Sequence, residues 1–220
     1  VIEGGAIHAT STRVDLENCI LAHNHAVQRG GALWMGGSGS EVSLDHVTCY
    51  DNTSDWSEGA VLYADQDVIC GIDNSILSFS PGEAALYCES GMQVDCTDVY
   101  PNTLGNFLPD PGAYVLTDVI HDDPVFCNPT AEDFRFRFGA PCDQQSSRCG
   151  TYLGALEPVT SCKSVGPGLD PHNPPLGAQS PDAAAVTRFR GMRSTDHGLT
   201  ALAFSLSSPQ TVKAQIIDIT

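Results

Sequence analysis

The first hundred residues are built from short stretches in which apolar and polar side chains alternate, separated by clusters of Gly, Asn, Asp and Ser. The stretch Gly4-Gly5-Ala6-Ile7-His8-Ala9 returns as Gly30-Gly31-Ala32-Leu33-Trp34-Met35. It returns again as Glu58-Gly59-Ala60-Val61-Leu62-Tyr63-Ala64 and as Glu83-Ala84-Ala85-Leu86-Tyr87-Cys88. The rings of His8, Trp34, Tyr63 and Tyr87 are thus spaced by 26, 29 and 24 residues. A second stretch runs in phase with the first, from Val14 to Asn24, Val42 to Asn52, Cys70 to Leu77 and Val94 to Asn102. Its apolar positions Leu16, Leu44, Ile72 and Val94 are 28, 28 and 22 residues apart.

Alternation with a period of two sends successive side chains to opposite faces of a strand. Val, Ile, Leu, Thr and Tyr between turn-forming clusters predict strand, turn, strand in each repeat, with two strands per repeat and no helix. One such pair cannot bury its apolar side. Stacking copies at the ~4.8 Å strand spacing aligns like residues and buries a continuous column. Four stacked repeats are predicted over residues 1 to about 105, with differences in repeat length taken up by corner loops. The paired glycines supply the dihedrals of a tight corner. Asn18, Asn74, Asn24, Asn52 and Asn102 suit turns in left-handed geometry, where stacked amides can bond to one another.

The Gly-Gly-Ala element, with Leu21-Ala22-His23-Asn24 and Cys49-Tyr50-Asp51-Asn52, resembles the polymorphic outer-membrane-protein repeats of bacteria. More broadly it resembles the right-handed parallel β-helix family shared with pectate lyases. The second motif carries Leu or Cys where the family has Phe, and the fourth copy lacks the Gly pair. The resemblance implies an all-β chain, a right-handed parallel β-helix or solenoid. The stretch Asp122-Asp123-Pro124-Val125-Phe126-Cys127-Asn128-Pro129, with Pro141-Cys142, Cys149-Gly150 and Gly154-Ala155, resembles the closing section of secreted bacterial β-helix proteins. Residues 1–162 are therefore expected to be the β-helix with its capping region, and the opening inside a repeat suggests further coils upstream.

Residues 163–184 read as a Pro- and Gly-rich linker. Within 185–220, the stretches 202–206 and 212–219 predict two strands and resemble the opening of a FlgD-type Ig-like module, here a short, truncated β-sandwich-like segment. The Asn-Pro-Phe-Asn-Pro element usual in that module is replaced by Arg193-Ser194-Thr195-Asp196, and the chain stops before the usual Gly-Arg.

Charge narrows the partners. The chain carries 10 basic and 27 acidic side chains in 220 residues, a formal net charge of -17. Residues 1–162 hold 23 of the acids against 5 Arg and no Lys, while 163–220 hold 4 acids against 5 bases. Such a surface repels phosphate backbones, so nucleic acid is excluded as a partner and a cell-surface polymer or glycan is the better expectation. No apolar run is long enough for a transmembrane helix. Nine cysteines in a Lys-poor chain point to an oxidising compartment, hence an extracellular or bacterial outer-surface location. Cys142 with Cys149 is the first candidate disulfide and Cys127 with Cys162 the second. Cys19, Cys49, Cys70 and Cys88 are expected to pack in the core.

β-helix enzymes that act on uronic-acid polymers carry Asp with Arg or Lys in an outside groove. Only Arg13 and Arg29 lie in the four repeats, so no catalytic residues are assigned. His8, His23, His25 and His46 lack metal-ligand spacing, so no metal or cofactor is assigned. Ca²⁺ is compatible with the charge, although no Gly-Gly-x-Gly-x-Asp repeat is present. If Ile7, Leu33, Leu62 and Leu86 point inward, His8, Trp34, Tyr63 and Tyr87 form an outward aromatic ladder, either a platform for sugar rings or a strand-stabilising stack. The expected role is adhesion, carbohydrate contact or scaffolding without catalysis; the alternative is part of a polysaccharide lyase or hydrolase whose catalytic coils lie upstream.

Overall fold

A computed structural model describes residues 1–56, 58–80, 84–102, 107–108 and 114–162, together with five short strands between 188 and 218. The described residues are all-β apart from one 3-10 turn, Pro129–Ala131. The chain visits three parallel sheets in a fixed order. Its first round comprises β1 (Ile7–Thr10), β2 (Thr12–Glu17) and β3 (Ile20–Ala22), followed by the short β4 (His25–Ala26). The second is β5 (Leu33–Gly36), β6 (Glu41–Asp45), β7 (Thr48–Tyr50) and β8 (Thr53–Ser54). The third is β9 (Leu62–Ala64), β10 (Ile69–Asp73) and β11 (Ile76–Ser80), and the fourth is β12 (Leu86–Cys88), β13 (Met92–Asp95) and β14 (Asp98–Asn102). A fifth, beyond the four repeats predicted, adds β15 (Phe107–Leu108) and β16 (Tyr114–Thr117).

Sheet A orders β1-β5-β9-β12-β15, sheet B β2-β6-β10-β13-β16 and sheet C β3-β7-β11-β14, while β4 pairs with β8. Each of the first four rounds contributes one strand per sheet, and the fifth contributes one to sheet A and one to sheet B. The predicted second strand of each repeat is in fact two strands, because a residue in left-handed geometry bends it between sheets B and C. That residue is Asn18, His46, Asn74, Cys96 and Asp118 in successive rounds, with φ between 45° and 53°. The expectation for Asn18 and Asn74 holds, but the same position accepts other residues at a modest cost.

The repeat columns seen in the sequence are register columns in space. Leu16, Leu44, Ile72 and Val94 are direct partners in sheet B, and the column ends at Leu116, which is 43% exposed. With Ile7, Leu33, Leu62 and Leu86 of sheet A and Leu21, Cys49, Leu77 and Val99 of sheet C, they fill one apolar interior. Each fully buried Leu or Ile contributes roughly 1.5–3 kcal/mol. Corners are set by backbone geometry. Gly4, Gly30 and Gly59 all have φ of +64°, and a Cβ at any of them would lie 2.0–2.4 Å from the carbonyl oxygen three residues on. The amide ladder also forms: Asn24 Nδ2 donates to Asn52 Oδ1 at 2.9 Å, and Asn52 Nδ2 donates to the Leu21 carbonyl at 2.8 Å.

The segment after the fifth round covers a flank. Strands β17 (Phe126–Asn128) and β18 (Asp133–Phe136) form an antiparallel hairpin. Its rings Phe126 and Phe134 lie 6.0 and 5.1 Å from Tyr50 of sheet C. Further on, the Gly154 amide donates to the Asn74 carbonyl at 2.7 Å and the Ala155 amide to Thr48 Oγ1 at 2.9 Å. A second apolar cluster results, containing Ile76, Phe136, Cys142 and Leu153. The outer face of sheet C is therefore an interior surface. The expected capping region acts as a side cover there.

The 163–184 linker lies outside the described residues. In the C-terminal part, β19 (Arg188–Phe189) pairs with β22 (Phe204–Ser205), and β20 (Arg193–Ser194) pairs with β21 (Thr200–Ala201). The strand expected over 212–219 is present as β23 (Gln215–Asp218), antiparallel to β2 at the edge of sheet B. Among the described residues, no helix is long and apolar enough to cross a membrane.

Candidate functional site

His8, Trp34, Tyr63 and Tyr87 form one register row across sheet A. Strand alternation places them on the face opposite Ile7, Leu33, Leu62 and Leu86, and none of the four rings belongs to the apolar interior. His8 stacks on Trp34 with centroids 4.3 Å apart and planes 12° off parallel; Tyr63 stacks on Tyr87 at 4.7 Å and 13°. The row is not an open ladder, however. Trp34 is only 9% exposed and Tyr63 is fully buried, while His8 and Tyr87 are half-buried.

Side chains from the corners fold over the two middle rings. The Arg29 guanidinium lies 4.7 Å from the Tyr63 centroid and 5.2 Å from that of Trp56, which is 52% exposed. Arg29 Nε sits 2.8 Å from Glu58 Oε2, an ion pair whose N–H is out of line for a hydrogen bond. The two residues also bridge in register, each just before a corner glycine. The Tyr63 hydroxyl donates to Glu89 Oε1 at 2.9 Å. Trp34 lies against its own strand at Gly36, where an added Cβ would come within 2.2 Å of the indole Cη2 and 2.9 Å of Asp65 Oδ2. A side chain at position 36 would push the ring off the sheet. The Trp34 indole N–H is buried and has no acceptor among the described residues.

The resulting patch is acidic and aromatic, with Glu58 and Asp65 near Arg29 and with Glu3 and Glu89 near Asp65. His8 Nδ1 lies 4.0 Å from Glu3 Oε2. Burial pushes the Asp65 carboxyl above its ordinary value, and the Glu89 charge adds to that, against a lowering by Arg29. Burial likewise raises the Tyr63 hydroxyl, helped by its bond to Glu89, and raises Tyr87. Such a surface disfavours anions and accepts neutral rings or cations.

A second concavity lies on the outer face of sheet B. It is a groove of about 270 Å³ lined by residues including Arg13, Asp15, Glu41, Asp73 and Gln93, open above Gly71. Among the described residues that line it, the one cation is engaged, since Arg13 Nε binds Asp15 Oδ2 at 2.9 Å and Nη1 binds Glu41 Oε2 at 3.2 Å. The histidines are dispersed: His23 Nδ1 lies 2.9 Å from Asp51 Oδ2, His25 Nδ1 3.1 Å from Thr53 Oγ1, and His46 Nδ1 2.9 Å from Asp45 Oδ1. Asp95, Cys96 and Asp118 converge closely enough to share a cation, but the Cys96 sulfur is already bonded to Cys149.

That bond corrects the first disulfide expectation. Cys149 pairs with Cys96, their Cα atoms 5.6 Å apart, and not with Cys142. The turn from 143 to 149 carries Cys149 to the sheet B to C bend, while the Cys142 thiol is buried and donates to Asp98 Oδ2 at 3.2 Å. Cys127 does pair with Cys162. Cys19, Cys49, Cys70 and Cys88 are buried free thiols.

Sequence reading found the ring row but missed Arg29, Trp56, Asp65 and Glu89 as its cover. Opposite charges at the equivalent positions 29 and 58 were a readable signal. Trp56, Asp65 and Glu89 sit in corners, outside any period. Comparisons with family models, with curated proteins and with solved structures each return no match to this chain.

Proposed function

We propose that the five rounds form a right-handed parallel β-helix that serves as a secreted or cell-surface binding module, contacting glycans with the outer face of sheet A. The observation that carries this reading is the half-exposed Trp56 stacked on Arg29, which is itself stacked on Tyr63, beside the half-buried rings of Tyr87 and His8. Rings held at fixed height present a flat apolar surface to the C–H face of a sugar. The surrounding carboxylates offer acceptors to its hydroxyls. Their charge selects neutral or amino sugars over uronic acids. In-register strands in the order A, B, C through successive rounds support the β-helix, and the Cys96–Cys149 and Cys127–Cys162 bonds support an oxidising compartment.

A glycan array probed with residues 1–162 tests the role, beside Trp56→Ala and Tyr87→Ala variants. These are the informative substitutions, because replacing the buried Trp34 or Tyr63 would disturb folding. The expected result is binding to neutral or amino-sugar glycans that is lost in Trp56→Ala. A folded wild type that binds nothing, or binds equally well in both variants, overturns the proposal.

A second reading rests on the neighbouring carboxyls of Asp65 and Glu89 beside the ring row, since glycoside hydrolysis uses a pair of acids. Release of reducing ends from a bound oligosaccharide, abolished in Asp65→Asn, would establish it. Binding without turnover would leave the site a binding surface.

A further inference from the structure

Outside the sheet A face, the interior holds a pair of groups that the fold leaves unexplained. Cys70 opens the inward row of β10 in the third round, and Cys88 ends β12 in the fourth. Their sulfurs lie 3.7 Å apart, with the Cys70 and Cys88 residues 5% and 0% exposed. Cys88 Sγ also lies 3.0 Å from the Gly91 carbonyl. Two thiols at that separation are within a side-chain rotation of bonding. The same chain holds two formed disulfides, so the conditions that oxidise those pairs act on this one as well.

We propose that Cys70 and Cys88 are a site of disulfide formation, a third cystine that ties the third round to the fourth from inside. The location matters because the fourth repeat, Glu83-Ala84-Ala85, has no glycine where the earlier ones carry the corner glycines Gly4, Gly30 and Gly59. A bond there closes an 18-residue separation and prevents the two rounds from parting at the A to B corner.

The oxidant is a small-molecule disulfide of the glutathione class or its protein equivalent. The Cys88 thiolate attacks one sulfur of the oxidant, forming a mixed disulfide and releasing the first thiolate, which takes up the Cys88 proton. Cys70 then loses its proton and attacks Cys88 Sγ, expelling the second half of the oxidant, which carries that proton away. Two protein thiols are oxidised and one small disulfide is reduced to two thiols. The contact with Cys70 lowers the Cys88 thiol, which makes Cys88 the attacking group. Since both sulfurs are buried, the exchange takes place while the chain folds or when the rounds open locally.

Two of the other free thiols are engaged elsewhere. Cys142 is directed at Asp98, and Cys19 Sγ lies 3.2 Å from the Glu17 carbonyl.

The test refolds the full chain in mixed oxidised and reduced glutathione, then alkylates it in denaturant without reductant. Five free cysteines stand in the structure, and the proposal expects three to be alkylated, with a cross-linked peptide joining Cys70 to Cys88. Cys88→Ser should restore one alkylated thiol, giving four. Five alkylated thiols in protein whose Cys96–Cys149 and Cys127–Cys162 bonds are intact would overturn the proposal, as would three thiols with the link elsewhere. Cys70→Ser, tested in parallel, distinguishes a loss of the bond from a failure to fold, because the other two bonds report folding independently.

Discussion

Asp98 is an acid placed where a charge is costly. It begins β14 on the outer row of sheet C, in register after Ile20, Thr48 and Ile76, and the side cover leaves it 0% exposed. Its Oδ2 accepts from the Cys142 thiol, whereas Oδ1 has no partner among the described residues. Burial raises the carboxyl from 3.8 to about 7; the bonds from Cys142 and the Asp122 backbone pull it down, and the charges of Asp122 and Asp123 push it further up. Because the folded state holds this proton more tightly than the unfolded chain does, its stabilising effect is complete below about pH 4. It declines as pH rises toward 7 and is gone above that. At about 1.4 kcal/mol per pH unit the gap is worth up to about 4 kcal/mol, and relaxation of the cover brings the expected value to about 2–4 kcal/mol. Asp98→Asn keeps the shape and removes the ionisation. Urea denaturation of both proteins from pH 4 to 8, followed by tryptophan fluorescence and circular dichroism, isolates this one group, since other titrating residues cancel in the difference. The variant should gain on the wild type by about 2–4 kcal/mol across that range. A difference that stays constant with pH would refute the reasoning, and would mean that Asp98 ionises freely in the folded protein.

Removing the Cys96–Cys149 bond with Cys96→Ser frees a 53-residue separation and should lower stability by up to about 4 kcal/mol, seen as a lower urea midpoint; an unchanged midpoint would show that the side cover holds by packing alone. Gly36→Ala puts a methyl group into the Trp34 ring, so a loss of about 1–3 kcal/mol with red-shifted tryptophan emission is expected, and wild-type emission would contradict the placement of the indole. Asn52→Ala strips the Asn24 amide, the Asn24 side chain and the Leu21 carbonyl of a buried partner, and should cost about 2–4 kcal/mol in thermal denaturation, more than Asn24→Ala; equal losses would count against a ladder.

What was legible in the sequence follows from translational repetition. When rounds stack in register, a column in space is a fixed position in the repeat, so Leu16, Leu44, Ile72 and Val94 show their contact as spacing alone. The same holds for the ring row and for Asn24 with Asn52. The split of each second stretch into two strands was hidden because the bend needs only one residue at positive φ. Asn18, His46, Asn74, Cys96 and Asp118 share that geometry without sharing a chemistry. The fifth round was missed because its strands, Phe107–Leu108 and Tyr114–Thr117, no longer carry the motif residues.

Non-repeating contacts could be settled only by the tertiary structure. Whether the rings stood open or covered depended on Arg29, Trp56 and Glu89, which reach over the row from corners of irregular length. The partner of Cys149 depended on how residues 126–162 fold back along sheet C, where Cys96 comes within reach and Cys142 turns into the second core. Local sequence determines alternation and turns because those interactions act between near neighbours or repeat at a fixed interval. Pairings that cross 26 to 53 residues once leave no period to read, and are decided by which surfaces remain unburied after the sheets have stacked.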